Sequence, residues 1–179
     1  MRTEALERVR LVFSLFDVNG NGVLEAEDFE LMSDRVVAAA RDSDDAAKQA
    51  IATSFRHYWE TLSTELDADH DGTITPDEFD ACVLSPERFD ATIEEFAVAL
   101  SNLGAPAGNG LVPRPVFVAL MIAIGFDPAN INALFDAFGP SPADEILASD
   151  WLEAIKDYYQ PEKAGIVGDL LVSTGALEA

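Results

Sequence analysis

Between residues 67 and 78, oxygen-bearing side chains recur at the spacing that a hard cation requires. Asp67, Asp69 and Asp71 alternate along the chain, Gly72 follows at once, Thr75 comes three residues later, and Glu78 closes the run. Alternate aspartates turn their carboxylates towards one centre, and a glycine at the sixth position permits a sharp turn. The Thr73 carbonyl supplies a backbone ligand, Thr75 stands at the ninth position, and a glutamate at the twelfth can offer both oxygens. The D-x-D-x-D-G-x5-E pattern is complete, and this donor set suits calcium. The bland alternative, an acidic turn that binds nothing, is disfavoured by the regularity of the flanking segments.

A second loop of the same design spans residues 17–28. Asp17, Asn19 and Asn21 take the first, third and fifth positions, Gly22 the sixth, the Val23 carbonyl the seventh and Glu25 the ninth. Here Asp28 stands where glutamate is usual. Aspartate is one methylene shorter, so the coordination number is expected to fall towards six, which calcium tolerates and magnesium prefers. The first loop is therefore expected to be the weaker or less calcium-selective of the two, with Mg2+ as a possible occupant.

Such loops need a helix on each side, and apolar residues stand where those helices require them. Val9, Val12, Phe13 and Phe16 precede the first loop, and Phe29 and Met32 follow it. Trp59, Leu62 and Leu66 precede the second, and Phe79, Cys82 and Val83 follow it. These are helical spacings. Leu24 and Ile74, each at the eighth loop position, are expected to pair the two loops. Asp42-Ser43-Asp44-Asp45 reads as a helix stop and restart. The cluster Phe55-Arg56-His57-Tyr58-Trp59 reads as packing between helices. Cys82 is expected to be buried and inert, His57 to lie at the core edge, and His70 to point away from the metal.

The second half repeats the plan without the ligands. Ser85-Pro86-Glu87 and Asp127-Pro128 read as helix starts. Phe96, Leu100 and Leu103 enter a loop of about residues 104–116, and Phe117, Leu120, Met121 and Ile124 leave it. Gly110 and Val112 hold the turn and pairing positions, but Ala105, Ala107 and Val116 stand where ligands belong. Ile131, Leu134, Phe135 and Phe138 enter a fourth frame, residues 139–150, with Ile146 at the eighth position and Trp151 and Ile155 beyond. Gly139, Ser141 and Ala143 replace its first ligands. Both loops are expected to be metal-free.

Composition sets the remaining bounds. The chain of 179 residues is 49% hydrophobic, enough for a substantial core, and its formal net charge is −22. That charge argues against nucleic-acid and anionic-membrane surfaces. Two Ca2+ ions would bring it from −22 to −18. One cysteine makes no internal disulfide, no run is long and apolar enough to cross a bilayer, and the opening residues do not read as a signal peptide. Two histidines and one cysteine assemble no hydrolytic triad or zinc site, so no enzyme is expected.

Four helix-loop-helix units, a competent pair followed by a degenerate one, make the sequence resemble the EF-hand proteins, specifically the sarcoplasmic calcium-binding and bacterial calerythrin-like family. The match is complete at Asp67–Glu78 and close at Asp17–Asp28, and elsewhere it rests on apolar spacing. The resemblance implies an all-α fold of four EF-hands in two paired lobes forming one compact domain. It also implies kinship with the photoprotein fold, whose central cavity holds an organic ligand. Members of the family generally carry metal in a C-terminal hand, whereas the oxygen ligands here are confined to the N-terminal pair.

The expected organisation is an N-terminal pair over residues 1–85, a degenerate pair over 86–160 and a tail helix over 161–179, with Ile166, Val167, Leu170 and Leu171 packed onto the C-terminal lobe. The expected function is that of a monomeric, cytoplasmic calcium buffer taking two ions through its first two hands. The alternatives are a sensor exposing apolar surface to a protein partner, and a binding module whose metal-free half holds an apolar ligand or a constitutive partner.

Overall fold

The fold is built from helices whose buried positions recur every three or four residues. A computed structural model describes residues 3–80 and 86–172; Cys82, Val83 and Ser85 lie outside them. Helix α1 (Thr3–Phe16) buries Ala5, Arg8, Val12 and Phe16. Helix α2 (Ala26–Ala39) leaves the first loop and buries Phe29, Met32 and Val36. Asp44 then caps α3 (Asp45–Leu66) by accepting the Ala47 N–H at 2.7 Å. That bond satisfies one of the free donors of the first turn. Helix α4 (Pro76–Asp80) leaves the second loop and presses Phe79 edge-on against Phe13, 5.5 Å between centroids.

The start expected at Ser85-Pro86 differs in form. Pro86–Arg88 makes a 3-10 turn, and α5 (Asp90–Leu103) begins only after Phe89. Phe89 is buried at that junction, so the chain turns inward before the α-helical path is established. Helices α6 (Arg114–Ile124), α7 (Pro128–Ala137) and α8 (Ala148–Tyr158) complete the second pair. Gly125 ends α6 in the left-handed region, with φ 114° and its N–H on the Met121 carbonyl. That conformation is open to glycine at little cost. Asp127 caps α7 as expected, accepting from Ala129 and Asn130.

The loops pair through their eighth positions. Leu24 and Ile74 exchange two N–H···O bonds of 2.9 Å and are fully buried. Strands β1 (Leu111–Pro113) and β2 (Glu145–Leu147) run antiparallel with Val112 opposite Ile146. Above these pairings the helices share one core. Phe16 stacks on Phe29 at 4.8 Å, Tyr58 meets Phe16 at 5.4 Å, and Tyr58 and Phe55 both reach Phe96 in the second half. Helix α3 lies along α5, and α2 lies on α6, so the halves cover one another. The aromatic cluster is therefore core, as its spacing implies.

The tail departs from expectation. Val167–Leu171 forms a 3-10 turn, not an α-helix, and packs on α7, α8 and α1. The stretch preceding it is organised by Arg8, which is fully buried. Its guanidinium donates to the carbonyls of Tyr158 at 2.7 Å, Gln160 at 3.0 Å and Lys163 at 3.0 Å, and to Asp169 at 2.5 Å. A guanidinium has five donors in a fixed fork. Meeting three carbonyls with it favours an irregular strap over a helix that would use those carbonyls internally.

Candidate metal centre

The second loop draws its aspartates together. Among the described residues, Asp67, Asp69 and Asp71 are the acidic, histidine or cysteine group whose ligand atoms all lie within 4.8 Å of one another. Backbone donors hold them there. Asp67 accepts the N–H groups of Asp71 and Gly72, both at 3.1 Å, one on each oxygen. Asp71 accepts from the Thr73 hydroxyl and N–H at 2.8 Å, which lower its pKa in that order. Glu78 does not join the trio. Its oxygens take the Ala68 N–H at 3.2 Å and the Thr75 N–H and hydroxyl at 2.9 Å, and the Thr75 N–H, then its hydroxyl, keep this carboxyl below its ordinary value.

The first loop has the same wiring with different side chains. Asp17 accepts from the N–H groups of Asn21 and Gly22, and the Asn21 side-chain oxygen accepts from the Val23 N–H. Glu25, at the ninth position, accepts from the amides of Asn19 and Asn21 at 3.0 and 3.2 Å. Asp28 is fully buried, one oxygen taking the Val18 and Asn19 N–H groups and the other the Glu25 N–H. Glu78 occupies the equivalent network through the second and ninth positions of its own loop. Aspartate thus fills the twelfth position by sinking into the loop.

Backbone conformation tracks the frames. The fourth and sixth positions are left-handed in the first loop (Gly20, φ 73°; Gly22, φ 89°) and in the second (His70, φ 58°; Gly72, φ 84°). His70 is exposed, as its position implies. The third loop keeps this signature at Gly108 (φ 66°) and Gly110 (φ 73°), and Asn109 accepts the Leu111 N–H as Asn21 and Asp71 do for Val23 and Thr73. These glycines set the frame at residues 105–116, with Ala105, Ala107 and Val116 at the first, third and twelfth positions. Alanine and valine side chains offer no oxygen there.

The fourth loop puts Asp144 at the sixth position with φ 59°. Arg114 closes this pair. It donates to Asp144 at 2.8 and 2.9 Å and to Asp136 at 2.6 Å, and its guanidinium lies 4.4 Å from the Phe135 ring centroid. The bonds to Asp144 and then Asp136 hold its pKa above the ordinary value. A fixed side-chain cation therefore joins the two loops that lack metal ligands.

Sequence reasoning missed Arg8, Arg114 and Asp144. Arg8 sits on the apolar face of α1, which signals burial, but its carboxylate partner is 161 residues away. His57, expected at the core edge, is exposed and bonds Glu95 at 2.9 Å.

The chain matches the EF hand family model over residues 9–33 and 64–84, the segments carrying the first two loops. Calerythrin of Saccharopolyspora erythraea is 25% identical over 162 residues, covering 87% of this chain and 92% of calerythrin. A Streptomyces coelicolor calcium-binding protein superimposes with a TM-score of 0.70 at 21% identity, covering 87% of this chain and 98% of its own. The amphioxus sarcoplasmic calcium-binding protein gives 0.71 at 18% identity, covering 96% and 97%. The photoprotein clytin gives 0.71 at 12% identity, covering 96% and 94%. Four helix-loop-helix units, two loops that satisfy the EF-hand pattern and similarity along most of the chain lead to one conclusion: the chain has the EF-hand fold and is similar to calcium-binding proteins of the sarcoplasmic and calerythrin-like type.

Proposed function

We propose that the protein is a calcium buffer that takes two ions, one in each N-terminal loop. Asp67, Asp69, Asp71, the Thr73 carbonyl, Thr75 and Glu78 would hold one, and Asp17, Asn19, Asn21, the Val23 carbonyl, Glu25 and Asp28 the other. The observation that carries this reading is the Asp67–Asp69–Asp71 cluster. Oxygens bound to one Ca2+ at 2.3–2.6 Å lie at most about 5 Å apart, and the three carboxylates already meet that limit at 4.8 Å. The ion would supply the positive charge that offsets their mutual repulsion. Glu78 would complete the shell by giving up its present bonds to the Ala68 N–H and to the Thr75 N–H and hydroxyl. In the first loop the buried Asp28 and the neutral amides of Asn19 and Asn21 favour a site with less calcium preference. Mg2+ is a natural competitor there, a reading supported by the ctenophore photoprotein berovin, whose three Ca2+-binding loops bind magnesium ions.

A buffer role is supported by what covers the apolar faces. A sensor must open a groove, but here α5 and α6 lie on α3 and α2, so opening the N-terminal pair would break the core between the halves. Among the described residues, the exposed large apolar side chains Leu31, Val98, Ile122 and Leu147 come from four separate elements. No described helix is long and apolar enough to cross a membrane. A monomer in the cytoplasm fits this reading.

Equilibrium dialysis on single variants tests the site assignment. Asp67→Ala and Asp17→Ala are each expected to reduce bound Ca2+ from two ions to one, weakening the affected site by roughly 100-fold or more, about 2.7 kcal/mol. An unchanged count in Asp17→Ala would remove the first loop from the assignment.

A further inference from the structure

On the N-terminal half, α2 and α3 enclose a cleft of about 390 Å³ that opens to solvent. Buried Phe29 and Phe55 form its floor, and half-buried Trp59 adds an aromatic wall, tilted against Phe29 at 5.5 Å between centroids. The volume lies in the range of small-molecule clefts, which combine apolar and aromatic walls with a few placed polar groups.

The polar groups of this cleft have no partners. The buried Ser43, Ser54 and Ser101 each donate to a carbonyl, at 2.8, 2.8 and 3.2 Å. Ser33 is 9% exposed and lines the cleft, yet its hydroxyl has no hydrogen-bond partner among the described residues and is not shut off from solvent, so it opens on the cleft. Exposed Glu30 and Asp34 stand one turn apart on α2, and exposed Arg56 stands on α3. None of the three has an ion-pair partner among the described residues.

Like charges four residues apart on a helix repel, so Glu30 and Asp34 favour a cation between them. A free guanidinium offers a fork that matches a carboxylate. The cleft between α3 and α5 differs, for there His57 bonds Glu95, Glu65 bonds Arg88 and Thr61 bonds Thr92. Bulk water can serve each free group singly. The arrangement as a whole matches one molecule with an apolar ring, an ammonium and a carboxylate.

We infer that the cleft between α2 and α3 is a binding site for a free aromatic amino acid. The ring lies on Phe29 and Trp59, Glu30 and Asp34 take the ammonium with the Ser33 hydroxyl as a further acceptor, and Arg56 takes the carboxylate. The cleft shares no residue with the proposed metal ligands, so the assignment stands apart from the buffer reading.

The probes are L-phenylalanine, phenethylamine, which lacks the carboxylate, and 3-phenylpropanoate, which lacks the ammonium. Binding is read from the indole N–H signals in NMR of the Ca2+-saturated full chain. The chain has two tryptophans, so Trp59→Phe assigns both signals, and Trp151, which does not line the cleft, is the internal control. L-phenylalanine is expected to shift the Trp59 signal and to bind about tenfold more tightly than either analogue, the scale of one charged hydrogen bond. Arg56→Gln should bring L-phenylalanine down to the affinity of phenethylamine without weakening phenethylamine. Glu30→Gln with Asp34→Asn should bring it down to that of 3-phenylpropanoate without weakening 3-phenylpropanoate. Such selective losses do not arise from misfolding. No shift of the Trp59 signal at millimolar L-phenylalanine, or a preference for it that survives both variants, would overturn the assignment. Equal binding of the three probes would also overturn it, leaving only an apolar face of the kind that docks a protein helix.

Discussion

At the scale of the residue, one methylene separates the twelfth positions of the two competent loops. Asp28 is sunk among the Val18, Asn19 and Glu25 N–H groups, and Glu78 reaches the matching network from the surface. Restoring the longer arm should give the first loop a bidentate ligand. Asp28→Glu is expected to raise its Ca2+ affinity about tenfold, ~1.4 kcal/mol, with little gain for Mg2+, whose octahedral shell has no use for the extra oxygen. Competitive titration with both metals measures this. A parallel rise for Mg2+ would show that geometry at this position is not what limits the site. These aspartates were legible in the sequence because their partners are a few residues away. Arg8 was not, because the groups that justify burying its charge arrive from residues 158–169.

At the scale of the element, two features hold helices in place by means other than metal. Arg8 ties α1 to the tail through four acceptors. Arg8→Met keeps the apolar bulk but removes the buried donor to the Tyr158, Gln160 and Lys163 carbonyls. It also removes the ion pair with Asp169, which keeps its Gly165 and Ile166 N–H groups, and breaking a largely buried, hydrogen-bonded ion pair costs several kcal/mol. A loss of about 3 kcal/mol is expected, with Tm falling by roughly 6–12 °C for a chain of this size. A change under about 2 °C would mean that the strap adds nothing to stability.

Gly104 is the second feature. Its φ of −72° suits any residue, yet a Cβ would stand 2.5 Å from Trp151 Cζ3 and 3.2 Å from Val112 Cγ1. Gly104→Ala should therefore cost ~1–3 kcal/mol by overpacking, and the near-ultraviolet signal of Trp151 should change with it. Wild-type stability would show that the indole has room to move. Sequence spacing alone marked Gly104 as a loop boundary. The reason only glycine fits comes from α8, which lies across it.

At the scale of the whole molecule, the apolar spacing foretold four helix-loop-helix units and both loop pairings, because each is a local pattern repeated four times. Leu24 opposite Ile74 and Val112 opposite Ile146 follow from the loop frames alone. What the spacing did not carry was the way the halves cover one another, the irregular strap after α8, or the Arg114 link between the metal-free loops. Those depend on which surfaces meet, and the sequence does not record that in any local period. The shared core through Phe16, Tyr58 and Phe96 is what makes a calcium response without opening the physical expectation.

Calorimetric titration of the metal-stripped protein with Ca2+, with and without millimolar Mg2+ and with an apolar dye present, bears on this most directly. Two ions should bind, Mg2+ should displace the ion of the first loop more readily, and dye fluorescence should change little. Two ions with a large dye signal would contradict the buffer and indicate a switch. No heat of binding at all would contradict the metal sites themselves.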